Sequence, residues 1–168
     1  MPTNLIKYYN SLLEIDALPI QERNTSLYRV FKRDFIDTNA PSFNQKSITP
    51  TPLDGIATME TLFHHLTTKK EYPDKPARVF DRSRSIRLHW VKYHLDVRKN
   101  NNMLHFTVKE PEGFRTYVYD RDEEYVVVLE PLRDKTAYYL LSAYKLEGKD
   151  AQRKKIERKY KRRWQEIL

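Results

Sequence analysis

The chain has 168 residues, of which 39% are hydrophobic and 32% are charged, with a net charge of +8 and a pI near 9.5. This balance fits one globular domain with its own core, and the basic surplus favours polyanionic partners over a merely lysine-rich surface. The chain contains no cysteine, which excludes disulfides and thiolate metal sites. No apolar run approaches the roughly 20 residues of a membrane helix, and the first residues lack the apolar stretch of a signal peptide. We therefore expect a cytoplasmic protein without a membrane partner.

The N-terminal half of the chain is predicted to be helical. Apolar residues recur at helical spacing over residues 4–14, from Thr25 or Ser26 to about 35, and over 57–67. Residues 38–55 contain two Thr-Pro pairs and a run of Ser, Asn and Gln, which is typical of a loop with one short strand at 42–48. A fourth helix is favoured near 81–95, and an aromatic-rich strand is the competing interpretation.

The next part of the chain predicts an antiparallel sheet. Alternating or continuous apolar residues mark strands near 104–108, 114–119, 125–129 and 137–144, and the turns between them are short. We therefore predict an α+β fold, in which N-terminal helices pack on one face of a four-stranded antiparallel β-meander and a basic C-terminal helix follows. Residues 1–36 are interpreted as a helical extension and 37–168 as the main domain, with one continuous domain as the alternative.

The types and spacing of the side chains limit the chemistry that the chain can perform. The histidines show no metal-ligand spacing, there is no glycine-rich phosphate loop, and no serine lies in a Gly-x-Ser-x-Gly turn. Metal-free acid–base chemistry on a phosphodiester remains, and RNA suits it because the ribose 2′-OH can attack its own phosphorus. Arginine can clamp the phosphate, Ser and Thr can orient it, and His or Tyr can transfer protons. The candidate residues are His65, Arg84, Arg87, Arg115, Thr116, Ser142 and Tyr144. A solvated sheet face is the alternative interpretation of the same residues.

Six segments, taken in order, resemble a nuclease family. They are 63–68 (Phe-His-His-Leu-Thr-Thr), 78–84 (Arg-Val-Phe-Asp-Arg-Ser-Arg), 87–90 (Arg-Leu-His-Trp), 115–119 (Arg-Thr-Tyr-Val-Tyr), 126–129 (Val-Val-Val-Leu) and 138–144 (Tyr-Tyr-Leu-Leu-Ser-Ala-Tyr). Together they resemble the phage-associated branch of the Barnase–EndoU–colicin–RelE-like ribonucleases. Members usually end the last strand with Thr-Ala-Tyr, and Ser142 keeps the hydroxyl of that threonine. The resemblance implies helices leading into a four-stranded antiparallel sheet, and ribonuclease activity for residues 37–168.

The functional hypothesis is a metal-independent endoribonuclease that needs no cofactor. In it His65 transfers a proton, Arg87 and Arg115 clamp the phosphate, and Ser142 and Tyr144 orient it or carry a proton. Thr116 and Arg84 support these groups. The expected role is that of a toxin or phage-conflict effector acting on tRNA, mRNA or ribosome-bound RNA. An antitoxin or immunity protein is a possible partner; residues 38–55 could dock it, but a plain loop is the favoured interpretation of that segment. The alternative is a non-catalytic accessory protein that binds RNA or ribosomes.

The tail, residues 150–168, predicts a basic amphipathic helix. Ile156, Tyr160, Trp164 and Ile167 form one apolar stripe, which we expect to dock on the sheet or on the N-terminal helices. The opposite faces carry the residues expected to bind RNA phosphates, which are Lys154, Arg158, Lys161 and Arg162. A helix that is merely solvated is the alternative.

Overall fold

The computed structural model describes residues 8–38, 40–148 and 150–168, which form a mixed α+β fold. The helices are α1 (Ile20–Lys32), α2 (Met59–Thr67), α3 (Arg82–Ser85), α4 (Trp90–Leu95) and α5 (Asp150–Lys161), and a π-helical turn, Arg33–Asp37, continues α1. The strands are β1 (Ser42–Phe43), β2 (Lys46–Pro50), β3 (Thr68–Lys70), β4 (Arg78–Phe80), β5 (Met103–Glu110), β6 (Gly113–Asp120), β7 (Tyr125–Pro131) and β8 (Ala137–Lys145).

Six strands form the main sheet, in the order β1-β2-β8-β7-β6-β5. The strands β5 to β8 are antiparallel neighbours in chain order, so the predicted meander is confirmed as the larger part of the sheet. The expectation of only four strands is wrong, because β2 pairs in parallel with β8, with Ser47 opposite Ala137 and Pro50 opposite Leu140. The strands β3 and β4 form a separate antiparallel hairpin.

The two faces of the main sheet have different coverings. Because side chains alternate along a strand, Thr116, Val118 and Val127 lie on one face, here called the inner face. This face packs on the helices through the large apolar core, to which α1, α2 and α4 contribute. The other, outer face carries a smaller apolar cluster that includes Tyr117 and Ile156, a residue of α5. The helices α1, α2 and α4 therefore pack on the inner face and α5 docks on the outer face, so the observed helix layout agrees with the predicted one only in part.

A buried charged network ties the N-terminal segment, residues 8–19, to the sheet. The carboxylate of Asp120 lies 2.8 Å from Nε2 of His94 and accepts hydrogen bonds from Lys99 at 3.0 Å and from the Tyr9 hydroxyl at 3.1 Å. The other ring nitrogen of His94 lies 2.7 Å from the carbonyl oxygen of Trp90. Burial opposes ionisation of Asp120, but the hydrogen bonds from His94 and Lys99 hold its pKa at about 2. The network therefore keeps a negative charge beneath β6.

Three helix predictions need correction. Residues 8–14 are not helical, and the rest of the predicted first helix lies outside the described residues. The next helix begins at Ile20, directly after Pro19, rather than at Thr25 or Ser26. The helix expected over 81–95 is divided into α3 and α4. The carbonyl oxygen of Ile86 accepts from the backbone N–H of Leu13 at 2.9 Å, and Trp90 N–H turns to Arg87 instead. The N-terminal segment thus uses the carbonyl group that would have continued the helix.

The C-terminal helix is shorter than expected, since α5 ends at Lys161. After it, the backbone N–H of Trp164 donates to the carbonyl oxygen of Thr107 on the edge strand β5 at 2.6 Å. The tail then reaches the inner face, where the carbonyl oxygen of Leu168 accepts from the hydroxyls of Thr116, at 3.3 Å, and Tyr138. The apolar stripe therefore continues only as far as Tyr160, and the side chains of Trp164 and Ile167 are 38% and 40% exposed.

None of the helices in the described ranges is long and apolar enough to cross a bilayer.

Candidate functional site

A bulge in β8 decides which of its side chains face outward. Val128 pairs with Ser142, but the next residue, Leu129, pairs with Leu140, so Leu141 is an extra residue in the strand. Tyr138 and Leu140 consequently lie in the inner core, whereas Ser142 and Tyr144 lie on the outer face. A regular strand would have placed all four on one face, and bulges often re-aim side chains beside functional sites.

Arg84 connects the helical region to Tyr144. Its guanidinium carbon lies 5.7 Å from the centre of the Tyr144 ring. The same guanidinium donates to the carbonyl oxygens of Thr68 at 3.0 Å and His65 at 3.4 Å, and lies 3.4 Å from the Asp81 carboxylate. Asp81 also caps α3, because its carboxylate accepts from the backbone N–H of Arg84 at 3.2 Å. The cap and the ion pair together fix Arg84 at the edge of the outer face.

His65 lies half-buried beside these cations. Burial lowers the pKa of His65, and the positive charges of Arg78 and Arg84 lower it further. Arg78 is held in place by hydrogen bonds to the hydroxyl and the carbonyl oxygen of Thr68, both at 2.8 Å. The imidazole is therefore neutral near pH 7 and can accept a proton.

The pKa of the Tyr144 phenol is shifted in the opposite direction, upwards. Burial and the neighbouring Tyr117 raise its pKa, and the positive charges of Arg84 and Lys159 only partly oppose this effect. The hydroxyl therefore keeps its proton and can donate it. Ser142 lies on the same face, one alternation earlier in the strand, and is half-buried.

Arg115 also lies on the outer face, but it is partly neutralised. Its Nη1 donates to the carbonyl oxygen of Phe114 at 2.9 Å and to the carboxylate of Glu130 at 3.2 Å. One strand, β7, lies between β6 and β8, and each of the two inter-strand spacings is about 4.8 Å. Arg115 is therefore roughly 10 Å or more from Ser142 at the backbone. Arg115 can reach a neighbouring part of a long ligand, but Arg84 is the arginine that contacts Tyr144.

Thr116 and Arg87 lie outside this group. Thr116 is fully buried on the inner face, where its hydroxyl is 2.8 Å from that of Thr107. Arg87 donates to the Ser83 hydroxyl at 2.9 Å and lies over the ring of Trp90, in a separate cavity. The structure therefore brings together four of the seven predicted site residues, His65, Arg84, Ser142 and Tyr144, and places the other three elsewhere.

A cluster around Glu110 joins α5 to the outer face. It was not predicted from the sequence. Glu110 accepts hydrogen bonds from Lys159, from Arg162 at 3.0 Å and from the Tyr117 hydroxyl at 3.3 Å. Burial opposes ionisation, but the two cations hold the pKa of Glu110 at about 2. The sequence does contain one indication of this cluster: Arg115 and Tyr117 are two residues apart in β6 and therefore lie on the same face.

The predicted RNA-binding residues of α5 are all exposed. Arg162 is bound to Glu110. The remaining three form no ion pair with any described residue and are called the free α5 cations; they are Lys154, Arg158 and Lys161. They extend the positive charge beyond the outer face.

Across residues 8–38, 40–148 and 150–168, no group of three or more His, Asp or Glu side chains is arranged to hold a metal ion. Comparisons with models of known protein families, with curated proteins and with solved structures found no match.

Proposed function

We propose that this protein is an endoribonuclease that cleaves RNA without a metal ion, through attack of a ribose 2′-OH on the adjacent phosphorus. The observation that supports it most is the grouping of three side chains with complementary properties. His65 is neutral and can accept a proton, Arg84 is held in place with a positive charge that Asp81 partly offsets, and Tyr144 beneath it retains a proton. A phosphodiester bound against Arg84 would meet all three requirements of the reaction.

The protonation states near pH 7 support the following roles, because His65 is unprotonated at one ring nitrogen and Tyr144 keeps its proton. His65 removes the proton of the 2′-OH as the bond from that oxygen to phosphorus forms. The bond from phosphorus to the 5′-oxygen breaks, and Tyr144 gives its proton to this leaving oxygen. Arg84 stabilises the charge that develops on the phosphoryl oxygens, and Ser142 orients them. The products are a 2′,3′-cyclic phosphate and a 5′-hydroxyl.

Arg115 takes a secondary role in this proposal. Its partner Glu130 reduces the local positive charge, and its distance from Ser142 is too large for one phosphoryl group to contact both backbones. The arginine fork has five N–H donors, so Arg115 can hold an adjacent phosphate or base without losing Glu130.

The biological role follows from the family resemblance. We propose a toxin or phage-conflict effector that acts on tRNA, mRNA or ribosome-bound RNA and is restrained by an antitoxin or immunity protein. Growth arrest on expression, relieved by Tyr144→Phe, is the expected result. Arrest that persists with this variant would contradict the assignment.

The test is incubation of the purified protein with RNA in excess EDTA, followed by mapping of the new ends. Cleavage that yields 2′,3′-cyclic phosphates and is abolished by Tyr144→Phe is expected. Cleavage that stops on chelation would indicate a metal mechanism. RNA binding without any cleavage would favour the alternative of a non-catalytic RNA- or ribosome-binding protein.

A further inference from the structure

A basic cavity separate from the candidate site lies between the N-terminal segment, α3 and the end of β8. Its volume is about 580 Å³. Four cations and two carboxylates are among the side chains that line it, namely Arg82, Arg87, Lys145, Arg153, Glu124 and Glu147. The lining therefore has two more cations than carboxylates, and Asp16 and Asp150, which lie outside it, pair with two of these cations.

Two of the four cations already have carboxylate partners. Arg82 makes two parallel hydrogen bonds to Asp16, both at 2.7 Å. Arg153 lies 2.9 Å from the carboxylate of Asp150 and 3.4 Å from that of Glu124. The charges of these two arginines are therefore largely offset by their partners, so they attract a further anion only weakly.

The other two cations, Arg87 and Lys145, form no ion pair with the described residues. Arg87 is held by hydrogen bonds to the carbonyl oxygen and hydroxyl of Ser83, at 2.8 and 2.9 Å, and by the Trp90 ring 5.3 Å away. None of these three partners carries a negative charge. The Nε of Arg87 is buried and has no hydrogen-bond partner among the described residues. Lys145 donates to the carbonyl oxygen of Glu123 at 2.9 Å, which leaves two of its three donors. Both cations are positioned by neutral groups and neither has an ion-pair partner, although the carboxylates of Glu147 and Glu123 lie near enough to stabilise the charge of Arg87.

The cavity and the candidate site share the same two elements of the chain. Lys145 directly follows Tyr144 in β8, so the two side chains point to opposite faces. Arg87 follows Arg84 by three residues, about one turn of the chain at the end of α3. An extended polyanion that crosses the end of β8 would meet Arg84 on one side and Arg87 with Lys145 on the other.

We propose that this cavity binds a phosphate group of an RNA strand next to the one held at Arg84, with Arg87 and Lys145 as its ligands. The proposal rests on RNA as the ligand of the protein, as argued above, but it does not require that the RNA be cleaved. Each phosphate contact to a single strand contributes about −0.7 to the slope of log affinity against log salt concentration.

The test measures binding of fluorescent oligoribonucleotides in which every 2′-OH is methylated, so that cleavage cannot occur. Their length runs from two to six nucleotides. For the wild type we expect affinity to rise with length and with falling salt. The variant Arg87→Gln/Lys145→Gln should lose roughly tenfold in affinity per cation at low salt, and its salt slope should be less negative by about 0.7, for the one phosphate contact that is lost. The shortest oligonucleotide should be least affected.

The matched control is Arg82→Gln/Arg153→Gln, which removes the same number of charges from the same cavity. Its slope should stay close to that of the wild type, because both arginines are already paired. Equal changes in the two double variants, or none in either, would overturn the proposal. Should Arg87→Gln fail to fold, Lys145→Gln alone must weaken binding at low salt and make the slope less negative by up to about 0.7, and an unchanged affinity and slope would reject the site. Binding that behaves as expected in a protein that never cleaves RNA would refute the nuclease proposal alone.

Discussion

Replacing Asp120 by Asn tests the buried network that ties the N-terminal segment to β6. The Asp120 side chain has no exposed surface and serves as the acceptor for His94, Lys99 and Tyr9. Its pKa falls from an ordinary 3.8 to about 2, which corresponds to about 2–3 kcal/mol of favourable interaction with the charged form. The amide also leaves the cation of Lys99 without its buried partner, and breaking a buried pair costs about 3–5 kcal/mol. We therefore expect Asp120→Asn to lower the free energy of unfolding by about 3 kcal/mol.

Urea unfolding at pH 7, followed by tryptophan fluorescence, measures this loss. The control is Asp122→Asn, because Asp122 pairs with the same Lys99 at 2.9 Å but is 48% exposed, and we expect it to cost less than about 1 kcal/mol. The sign of the pH dependence follows from the lowered pKa: the stabilisation by Asp120 is complete above about pH 4 and is lost as the pH falls towards 2. This acid-sensitive part of the free energy of unfolding should be absent in Asp120→Asn. A loss no larger than that of the control would refute the argument that the network anchors the N-terminal segment.

Three further predictions concern α5, the inner face and the proton acceptor. Reversal of the three free α5 cations to Glu should weaken RNA binding and make the salt slope less negative by about 2, while thermal melting stays unchanged; an unaltered slope would mean that the helix is merely solvated. Thr116→Val should lower the free energy of unfolding by about 1–2 kcal/mol, measured by urea titration, because it leaves the Thr107 hydroxyl and the Leu168 carbonyl oxygen short of a partner. Because burial and nearby cations lower the pKa of His65, the rate of RNA cleavage should rise as pH increases through a value below 6.5 and be level at pH 7; a rate that still rises tenfold per pH unit above 7 would assign the base elsewhere.

The four meander strands were predictable because their signal is local. Apolar alternation and short turns mark each one, and the structure has them within two residues of the predicted bounds. The pairing of β2 with β8 has no such signal. It joins residues about 90 positions apart, through a short polar strand that ends at Pro50. Likewise, the break between α3 and α4 depends on Leu13, which competes for a carbonyl oxygen more than 70 residues away.

The candidate site was predictable in part. Ser142 and Tyr144 are two residues apart in a strand and therefore share a face, as the sequence indicates. Arg115 and Thr116 are adjacent and therefore cannot share one, and period-two alternation alone would have removed Thr116 from the site. The bulge at Leu141 and the separation of Arg87 from Arg84 depend on tertiary packing, and so no local pattern in the sequence reports them.

The most direct measurement of the central claim compares two adjacent histidines. His65→Gln and His64→Gln remove the same group from neighbouring positions of α2, but His64 is exposed whereas His65 lies half-buried beside Arg78 and Arg84. Single-turnover cleavage of RNA in EDTA should fall by a factor of about 100 or more in His65→Gln, as expected for loss of a general base, and should remain within about twofold of the wild type in His64→Gln. Equal rates in the two variants, or cleavage that survives both, would contradict the assignment of His65 and with it the proposed mechanism.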